Sequence, residues 1–311
     1  TQKVQEGRFR LILPDKSFDL RLSIIPGGYG QSASLRILGG ETTLLDLERL
    51  GFLAPQKEKI EKILEKKVGL ILAAGPTSSG KTTTLFALLK KLAKPEVKVI
   101  TVEDPIEYRL PNIIQTQIDE EKGYTFTKAL RSLLRQNPNI FLIGEIRDKE
   151  TAKLVWEASA TGHLVLSTIH ANDALGVLSR LKTLEIPIEE LASAINIIIA
   201  QRLVRCLCPQ CKKKIKIPKE MTPLIKQALK KFPEYKKEKQ AEYIYQAKGC
   251  AQCSFTGYKG QIGIFEILIP PLKTKDFSKI DFPKLIDDAV IKVLLGTTSW
   301  EEIKRVLGIM A

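Results

Sequence analysis

Long apolar runs are absent from this chain of 311 residues. The sequence therefore predicts no segment that spans a membrane, and it shows no secretory signal peptide. Histidine is scarce, with two residues, and the five cysteines are unevenly placed. An odd, clustered set of cysteines indicates reduced thiols and a metal rather than a disulfide framework. The chain begins with Thr1 and a predicted strand, which indicates a piece of a longer protein.

Acidic residues are outnumbered, since 49 Lys and Arg face 35 Asp and Glu and give a formal net charge of +14. Such a balance suits nucleic acid, an anionic membrane surface or an acidic protein partner. Much of the excess lies in the lysine-rich stretch from Lys212 to Lys239. We interpret this stretch as a solvated loop and helix face.

Residues 75–82 match the phosphate-loop pattern G-x-x-x-x-G-K-[ST]. The apolar run Val68–Ala74 predicts a strand before the loop, and Thr82–Leu92 predicts a helix after it, so a chance glycine turn is disfavoured. Backbone amides of the loop would bind phosphate oxygens, Lys81 would reach the outer phosphates and Thr82 would hold Mg²⁺. The expected nucleotide-binding residues are Gly75, Pro76, Thr77, Ser78, Ser79, Gly80, Lys81, Thr82 and Thr83.

Strands and helices alternate from Val68 to about Val204, as expected for a parallel α/β core. Three short predicted strands precede this core, and the chain ends in predicted helices. The expected domains are a β-rich unit at 1–40, a core at 41–205, a cysteine-flanked insertion at 206–256 and a helical C-terminal part at 257–311. Predicted helices include Leu44–Gly51 and Ile188–Arg202.

Two acidic clusters follow predicted strands of the core. Thr101–Tyr108 contains Glu103, and Phe141–Asp148 contains Glu145. Ligands of open α/β sheets bind beyond the carboxyl ends of the strands, so both clusters would converge on the phosphate loop. Hydrolysis of a nucleotide requires such carboxylates near Mg²⁺ and the attacking water. A typical Walker B strand ends in Asp, whereas this one ends in Gly144–Glu145.

Both histidines of the chain lie in Thr161–Asp173, beside a predicted strand. A single histidine is more often structural than functional. Two histidines flanked by polar residues, in a chain with no others, favour function, so His163 and His170 are candidate site residues.

Four of the five cysteines form two C-x-x-C pairs, Cys208 with Cys211 and Cys250 with Cys253. Two such pairs complete a tetrahedral Zn²⁺ site, and four thiolates leave no open position, so the zinc would be structural. The alternative is a set of scattered buried cysteines. Cys206 is the spare residue, and it could replace Cys208 only with a different geometry.

Together these segments resemble the secretion ATPases of type II secretion and type IV pilus assembly. The phosphate loop resembles their Walker A motif, and Thr101–Tyr108 resembles their Asp box. Phe141–Asp148 resembles their atypical Walker B motif, and Thr161–Asp173 resembles their His box. The pilus retraction motors lack a tetracysteine element, so the cysteine pairs make this chain more similar to the assembly and type II secretion branch. These motifs do not separate pilus assembly, type II secretion and DNA uptake.

The resemblance implies a RecA-like P-loop core preceded by the C-terminal half of a PAS-like second N-terminal domain. It also implies ATP, Mg²⁺ and Zn²⁺ as cofactors. The implied assembly is a homo-hexameric ring in the cytoplasm, peripheral at the inner membrane. Its implied partners are an inner-membrane platform protein and, through a region that precedes this chain, a cytoplasmic membrane-anchoring protein.

The same resemblance implies roles for the candidate residues. Glu103 would act as general base on the attacking water, and Glu145 would hold Mg²⁺. His163 and His170 would lie near the γ-phosphate.

Arginines of the preceding unit would also reach the γ-phosphate and close over the nucleotide as that unit rotates. The matching positions are Arg21 and Arg36, whereas Arg8 and Arg10 are weaker candidates.

Two other classes of protein remain possible from the residues. One is a nucleic-acid-handling protein, because RecA-like cores also drive helicases. Stacking platforms need exposed aromatic residues, and the lysine-rich stretch offers few, which disfavours nucleic acid as a partner. The candidates are Phe232, Tyr235, Tyr243 and Tyr245. The other class is a nucleotide-binding regulatory module without turnover, which the carboxylates at both strand ends disfavour.

Overall fold

The computed structural model describes residues 3–13, 17–38, 45–187, 194–240, 242–270 and 280–309. Within these ranges no helix is long and apolar enough to cross a bilayer. The strands are β1 (Gln5–Ile12), β2 (Ser17–Gly27), β3 (Gly30–Leu38), β4 (Gly69–Ala74), β5 (Val99–Glu103), β6 (Ile114–Gln117), β7 (Ile140–Ile143), β8 (Leu164–Ile169), β9 (Ile195–Leu207), β10 (Lys213–Lys216), β11 (Tyr243–Gln246) and β12 (Tyr258–Leu268). The helices are α1 (Ala54–Leu64), α2 (Lys81–Leu92), α3 (Phe126–Leu133), α4 (Lys149–Ala160), α5 (Ala174–Thr183), α6 (Met221–Lys231), α7 (Leu285–Leu294) and α8 (Trp300–Leu307).

A seven-stranded sheet in the order β12-β9-β4-β8-β7-β5-β6 forms the core. Its strands are parallel except β12, which pairs antiparallel with β9. Successive residues of β4 face opposite sides: Leu70 and Leu72 pack with α3, α4 and α5, whereas Ile71 and Ala73 pack with α1 and α2. Because both faces are covered, β4 is buried along its whole length, as parallel strands are in α/β proteins. The expected α/β core is confirmed.

The predicted helix over Ile188–Arg202 is wrong from Ile195 onward, and residues 188–193 lie outside the described residues. The chain forms β9 there, between β4 and β12, and the first seven residues of the strand are buried. A continuous apolar run fits a buried strand as well as a buried helix. The β-branched isoleucines of this run are the sequence signal that favours the strand.

Two smaller expectations are also corrected. Residues 47–51 form a turn rather than part of the predicted helix Leu44–Gly51. Leu45 and Leu47 of this segment are buried in the apolar core beside α1 and α2. In the C-terminal part, which was expected to be helical from 257, Tyr258–Leu268 is the edge strand β12 and the next described helix begins at Leu285.

The expected N-terminal β-rich unit is an antiparallel sheet of β1, β2 and β3. The register places Arg8 opposite Arg21, and Arg21 opposite Arg36. Directly opposite residues share one face of a sheet, so three arginines form a row across this unit. Like charges in such a row repel one another, which favours acidic or anionic groups in front of them.

A third apolar core contains residues of α6, α7 and α8 together with Val204 of β9 and Ile264 of β12. Two buried carboxylates take part in the contacts between these helices and the sheet. On α7, Asp288 pairs with Lys292 at 2.5 Å, and the Lys292 ammonium also donates to the Gly263 carbonyl of β12 at 2.7 Å. On α8, Glu302 accepts from the Arg205 amide of β9 at 3.0 Å and from the Arg205 guanidinium at 2.6 Å.

The buried carboxylate of Glu302 gives the first prediction. Burial alone would raise its pKa, but hydrogen bonds from Arg305 and Arg205 lower the pKa to about 2. Since the unfolded-state pKa is about 4.3, this stabilisation is present above that pH and is lost as the pH falls towards 2. Glu302→Gln should therefore lower the free energy of unfolding near neutral pH by about 3 kcal/mol. Urea unfolding at a series of pH values measures this difference.

Glu301→Gln is the matched control, because Glu301 lies in the same helical turn and is exposed. Its substitution should change stability little. A Glu302→Gln effect that persists unchanged from neutral pH down to the acid range would contradict the assignment of the contact to the ionised carboxylate.

Candidate functional site

The predicted phosphate loop connects the end of β4 to the start of α2. Gly75 has a φ of +150°, and a Cβ there would lie 2.5 Å from the Ser79 hydroxyl oxygen and 2.6 Å from the Gln201 carbonyl oxygen. Glycine is thus required at this position by both conformation and space. Lys81, the first residue of α2, donates to the carbonyls of Gly75 and Pro76 at 2.9 Å each. The loop amides precede a helix N-terminus, where partial positive charge favours an anion.

The loop opens into a cleft of about 190 Å³ at the carboxyl ends of β5, β7 and β8, named here the loop cleft. The expected convergence of both acidic clusters on the loop is observed. From the phosphate loop the cleft is lined by Thr77, Ser78, Lys81 and Thr82, and from the strand ends by Glu103, Glu145 and His170. Ser79, Gly80 and Thr83 of the loop line an adjoining opening. The Thr83 hydroxyl forms a hydrogen bond with the Tyr108 hydroxyl at 2.9 Å.

Glu103 ends β5 inside the loop cleft and is 3% exposed. Its carboxylate accepts from the Thr101 hydroxyl at 2.6 Å and from the Gln115 amide at 3.0 Å. Burial raises the pKa of Glu103, and these hydrogen bonds oppose the shift only in part. A carboxylate with a raised pKa is suited to accept a proton near neutral pH.

Glu145 lies across the loop cleft in a different electrostatic environment. Its carboxylate accepts from the Arg147 guanidinium and lies 3.4 Å from the His170 ring. Burial alone would raise the pKa of Glu145, but the Arg147 contact and the charges of His170 and Lys81 outweigh burial and lower it. Glu145 is therefore held ionised, as a ligand of a hard divalent cation must be.

Sequence reasoning gave no role to Glu107, although it lies in the same acidic cluster as Glu103. Glu107 lines the loop cleft together with Thr82, the residue expected to hold Mg²⁺. Burial raises the pKa of Glu107, while Thr82, Arg36 and Lys81 lower it. Hydroxyl and carboxylate oxygens at one point of the cleft form the donor set that Mg²⁺ prefers. The signal in the sequence that could have identified Glu107 is its place in Thr101–Tyr108, the acidic cluster already assigned to the site.

The two histidines lie at opposite ends of β8. His170 follows the strand and lines the loop cleft, as expected. His163 precedes the strand, so roughly 20 Å of strand separates it from the cleft, and its expected place near the γ-phosphate is wrong. Its ring bonds the Ala158 carbonyl at 3.1 Å and packs on Phe141 with centroids 5.1 Å apart. These contacts give His163 a structural role at the amino end of β8, opposite the cleft.

The two candidate arginines occupy different places. Arg36 shares the adjoining opening, about 450 Å³, with the phosphate loop, and its charge lowers the pKa of Glu107. Arg21 lines a separate cleft of about 650 Å³ with Arg8 and Asp104, and it pairs with Glu6 at 3.6 Å. The row of arginines therefore crosses from the loop to a neighbouring acidic surface, and Arg36 is the member that faces the loop.

The four paired cysteines come together as the sequence predicts. Their sulfur atoms all lie within 4.8 Å of one another, with Cys208 to Cys250 and Cys211 to Cys253 both at 3.9 Å. Tetrahedral zinc with Zn–S bonds of about 2.3 Å places its ligands about 3.8 Å apart, so the donor set fits structural zinc. Cys206 lies outside this group, in agreement with its interpretation as the spare residue.

The family of type II/IV secretion system proteins matches residues 1–305. The chain belongs to this family. It is 39% identical over 315 residues to the type II secretion system protein E of Dickeya dadantii, covering 97% of this chain and 61% of that relative. It is 37% identical over 313 residues to the type IV pilus assembly ATPase PilB of Thermus thermophilus, covering 96% of this chain and 34% of that relative.

This family member thus spans less than two thirds of the length of the curated relatives it matches. Among solved structures it is similar to the pilus retraction motor PilT with bound ADP. That match has a TM-score of 0.58 and 26% identity, and it covers 86% of this chain and 64% of the PilT chain. The expected resemblance to the secretion and pilus proteins is confirmed at the level of the family.

The cysteine cluster gives a prediction that does not depend on nucleotide. The purified chain should bind one equivalent of zinc, and Cys208→Ser should reduce the zinc content and lower the melting temperature, because one of four thiolates is lost. Elemental analysis and thermal unfolding measure the two effects. Cys206→Ser is the control and should keep its zinc. Equal zinc loss in both variants would contradict the ligand assignment.

Proposed function

We propose that this chain hydrolyses ATP with Mg²⁺ and that hydrolysis moves its N-terminal unit to power pilus assembly or type II protein secretion. The observation that carries the proposal is the loop cleft, where Lys81 and Thr82 face Glu103 and Glu145. The cleft combines phosphate-binding groups, oxygen ligands for a cation and a proton acceptor, which together are what hydrolysis needs. The similarity to PilT with bound ADP and to proteins named as ATPases supports the same reading.

The proposed mechanism divides the work among the residues by their environment. The loop amides and Lys81 bind the phosphate chain. Thr82 and Glu145 would hold Mg²⁺, and the ion would supply positive charge that offsets the developing negative charge on the phosphate oxygens. Glu103 orients the attacking water and accepts its proton, and His170 positions the γ-phosphate beside Glu145.

Arg36 has the proposed role of an arginine finger, since it faces the loop from a separate sheet. Movement of the N-terminal sheet would carry Arg36 onto the γ-phosphate, and phosphate release would free it again. Arg21 would then contribute to closure of the N-terminal sheet through the neighbouring cleft, which Asp104 and other acidic residues also line. The rotation of the sheet is the proposed mechanical output.

The finer assembly belongs to the same proposal. We place the chain in a homo-hexameric ring, cytoplasmic and peripheral at the inner membrane, in contact with the platform protein of the pilus or secretion machine. A region outside this chain would contact the membrane-anchoring partner. The family membership and the names of the relatives support these assignments. Zn²⁺ has a structural role, because its proposed site contains four thiolates and no open position.

The packing of aromatic residues disfavours the nucleic-acid alternative. Phe232 is buried with an exposed fraction of 2%, the Tyr235 hydroxyl accepts from the Ala54 amide, and Tyr245 carries the Lys212 ammonium on its ring. Of the four candidate stacking residues, Tyr243 alone is exposed, with an exposed fraction of 44%. One exposed ring does not make a stacking platform for successive bases.

The assignment of the general base can be tested with two isosteric substitutions. Glu103→Gln should lower kcat at least a hundredfold, because removal of a general base costs about 10²–10⁴ in rate, while ATP affinity is kept. Glu145→Gln should instead weaken the dependence on Mg²⁺. Steady-state phosphate release over a Mg²⁺ series, with light scattering for the mass of the assembly, measures both. Intact turnover in Glu103→Gln together with abolished turnover in Glu145→Gln would show that the roles are reversed.

The positions of the arginines predict an order of effects. Arg36→Gln should lower kcat more than Arg21→Gln, because only Arg36 faces the loop. An arginine finger is worth about 10³–10⁵ in kcat elsewhere, so a large loss is expected at unchanged ATP affinity. A larger loss in Arg21→Gln, or an equal one, would contradict the assignment. The added presence of single-stranded DNA should change neither result.

A further inference from the structure

Gln201 occupies a special position on β9, next to the phosphate loop. The parallel ladder of β4 and β9 ends at the pair Ala74 and Ala200, because the chain after β4 turns away into the loop. Gln201 is the next residue of β9 and is 1% exposed. Its side-chain amide donates to the Ser79 carbonyl at 2.7 Å. A side chain thus connects the loop to the strand where the backbone ladder has stopped.

Both glycines of the loop lie directly against Gln201. A Cβ at Gly75 would approach the Gln201 carbonyl oxygen to 2.6 Å, and a Cβ at Gly80 would approach the Gln201 side-chain nitrogen to 3.1 Å. The loop backbone is therefore packed onto this residue at its beginning and near its end.

The hydrogen bond to Ser79 has a directional consequence. A peptide group is planar and trans, so its carbonyl and its N–H point in opposite directions. Fixing the Ser79 carbonyl towards β9 therefore fixes the Gly80 N–H away from β9. In phosphate loops the backbone amides are the groups that donate to phosphate oxygens.

We propose that Gln201 is a positioning residue that orients the Gly80 amide for a phosphate oxygen of the bound nucleotide. This inference rests on the proposed function, since it assigns the nucleotide to the same loop. Gln201 touches the loop backbone rather than the nucleotide, so it acts through Gly80.

Two orphaned polar atoms support this role over simple packing. Among the described residues, the Gln201 side-chain oxygen and the Ser79 hydroxyl are buried without a hydrogen-bond partner. A buried polar atom without a partner destabilises the fold, so an apolar residue of similar length would be preferred at a purely structural position. On this inference, the N–H donor is the part of the Gln201 side chain that the position requires.

Asn196 provides a matched control on the same strand. It is also a buried amide of β9, and its side chain donates to the Val68 carbonyl at 2.8 Å. That contact lies at the opposite end of β4, before the strand rather than after it. The two residues therefore share an amide side chain, a strand and burial, but only the Gln201 amide donates to a carbonyl of the phosphate loop. The Asn196 side-chain oxygen also accepts from Lys66 at 3.2 Å.

The test compares Gln201→Met and Gln201→Glu with Asn196→Leu in the complete 311-residue chain. Met keeps the length of the side chain without polar atoms, and Glu keeps its shape without an N–H donor. Titration with a fluorescent ADP analogue in Mg²⁺ gives affinity, and thermal unfolding without nucleotide gives stability. Both Gln201 variants should bind the analogue about tenfold more weakly. Any change in their melting temperatures should be too small to account for the weaker binding. Asn196→Leu should bind as the unsubstituted chain does.

Unchanged affinity in Gln201→Met would overturn this inference and leave the proposed function intact. Equal losses of affinity in the Gln201 variants and Asn196→Leu would also overturn it, because they would indicate a general effect on the sheet. An unsubstituted chain that binds no nucleotide would overturn the proposed function and the inference together.

Discussion

The pairing of β4 with parallel strands on both sides is the constraint on which the site depends. Its last residue, Ala74, pairs with Ile169 of β8 and with Ala200 of β9. All three strands therefore reach the same edge of the sheet together. The phosphate loop begins there, with His170 following β8 on one side and Gln201 continuing β9 on the other. The short phosphate loop is thus held at the end of three paired strands, which limits its conformational freedom before any ligand binds.

Strand β9 also joins the central sheet to the cysteine cluster. Cys208 follows directly after β9, and β12 begins at Tyr258, shortly after Cys253. The two cysteine pairs therefore close the far end of the β9–β12 ladder, while the same ladder passes the phosphate loop. Because the helices α7 and α8 are anchored to these strands, the cluster, the helices and the loop share one continuous framework.

Differences in environment distinguish chemically similar carboxylates in the loop cleft. Glu103 is enclosed by neutral donors, and burial raises its pKa. Glu145 faces Arg147 and His170, whose charges lower its pKa despite burial. Opposite shifts of neighbouring carboxylates are a known basis for separate acid–base and metal-binding roles. The proposed assignment of base and cation ligand follows from this contrast.

The sequence by itself determined the features whose chemistry lies within one short segment. The spacing of the phosphate loop and of the cysteine pairs is local, and the rule that parallel strands end at one edge placed Glu103 and Glu145 correctly. The same rule favours His170, which follows β8, over His163, which precedes it. Only the tertiary structure decided the surroundings of the two side chains, with His170 beside Glu145 and His163 on Phe141. It also decided that β9 is a strand and that Gln201 meets the loop, since these depend on pairing between segments distant in sequence.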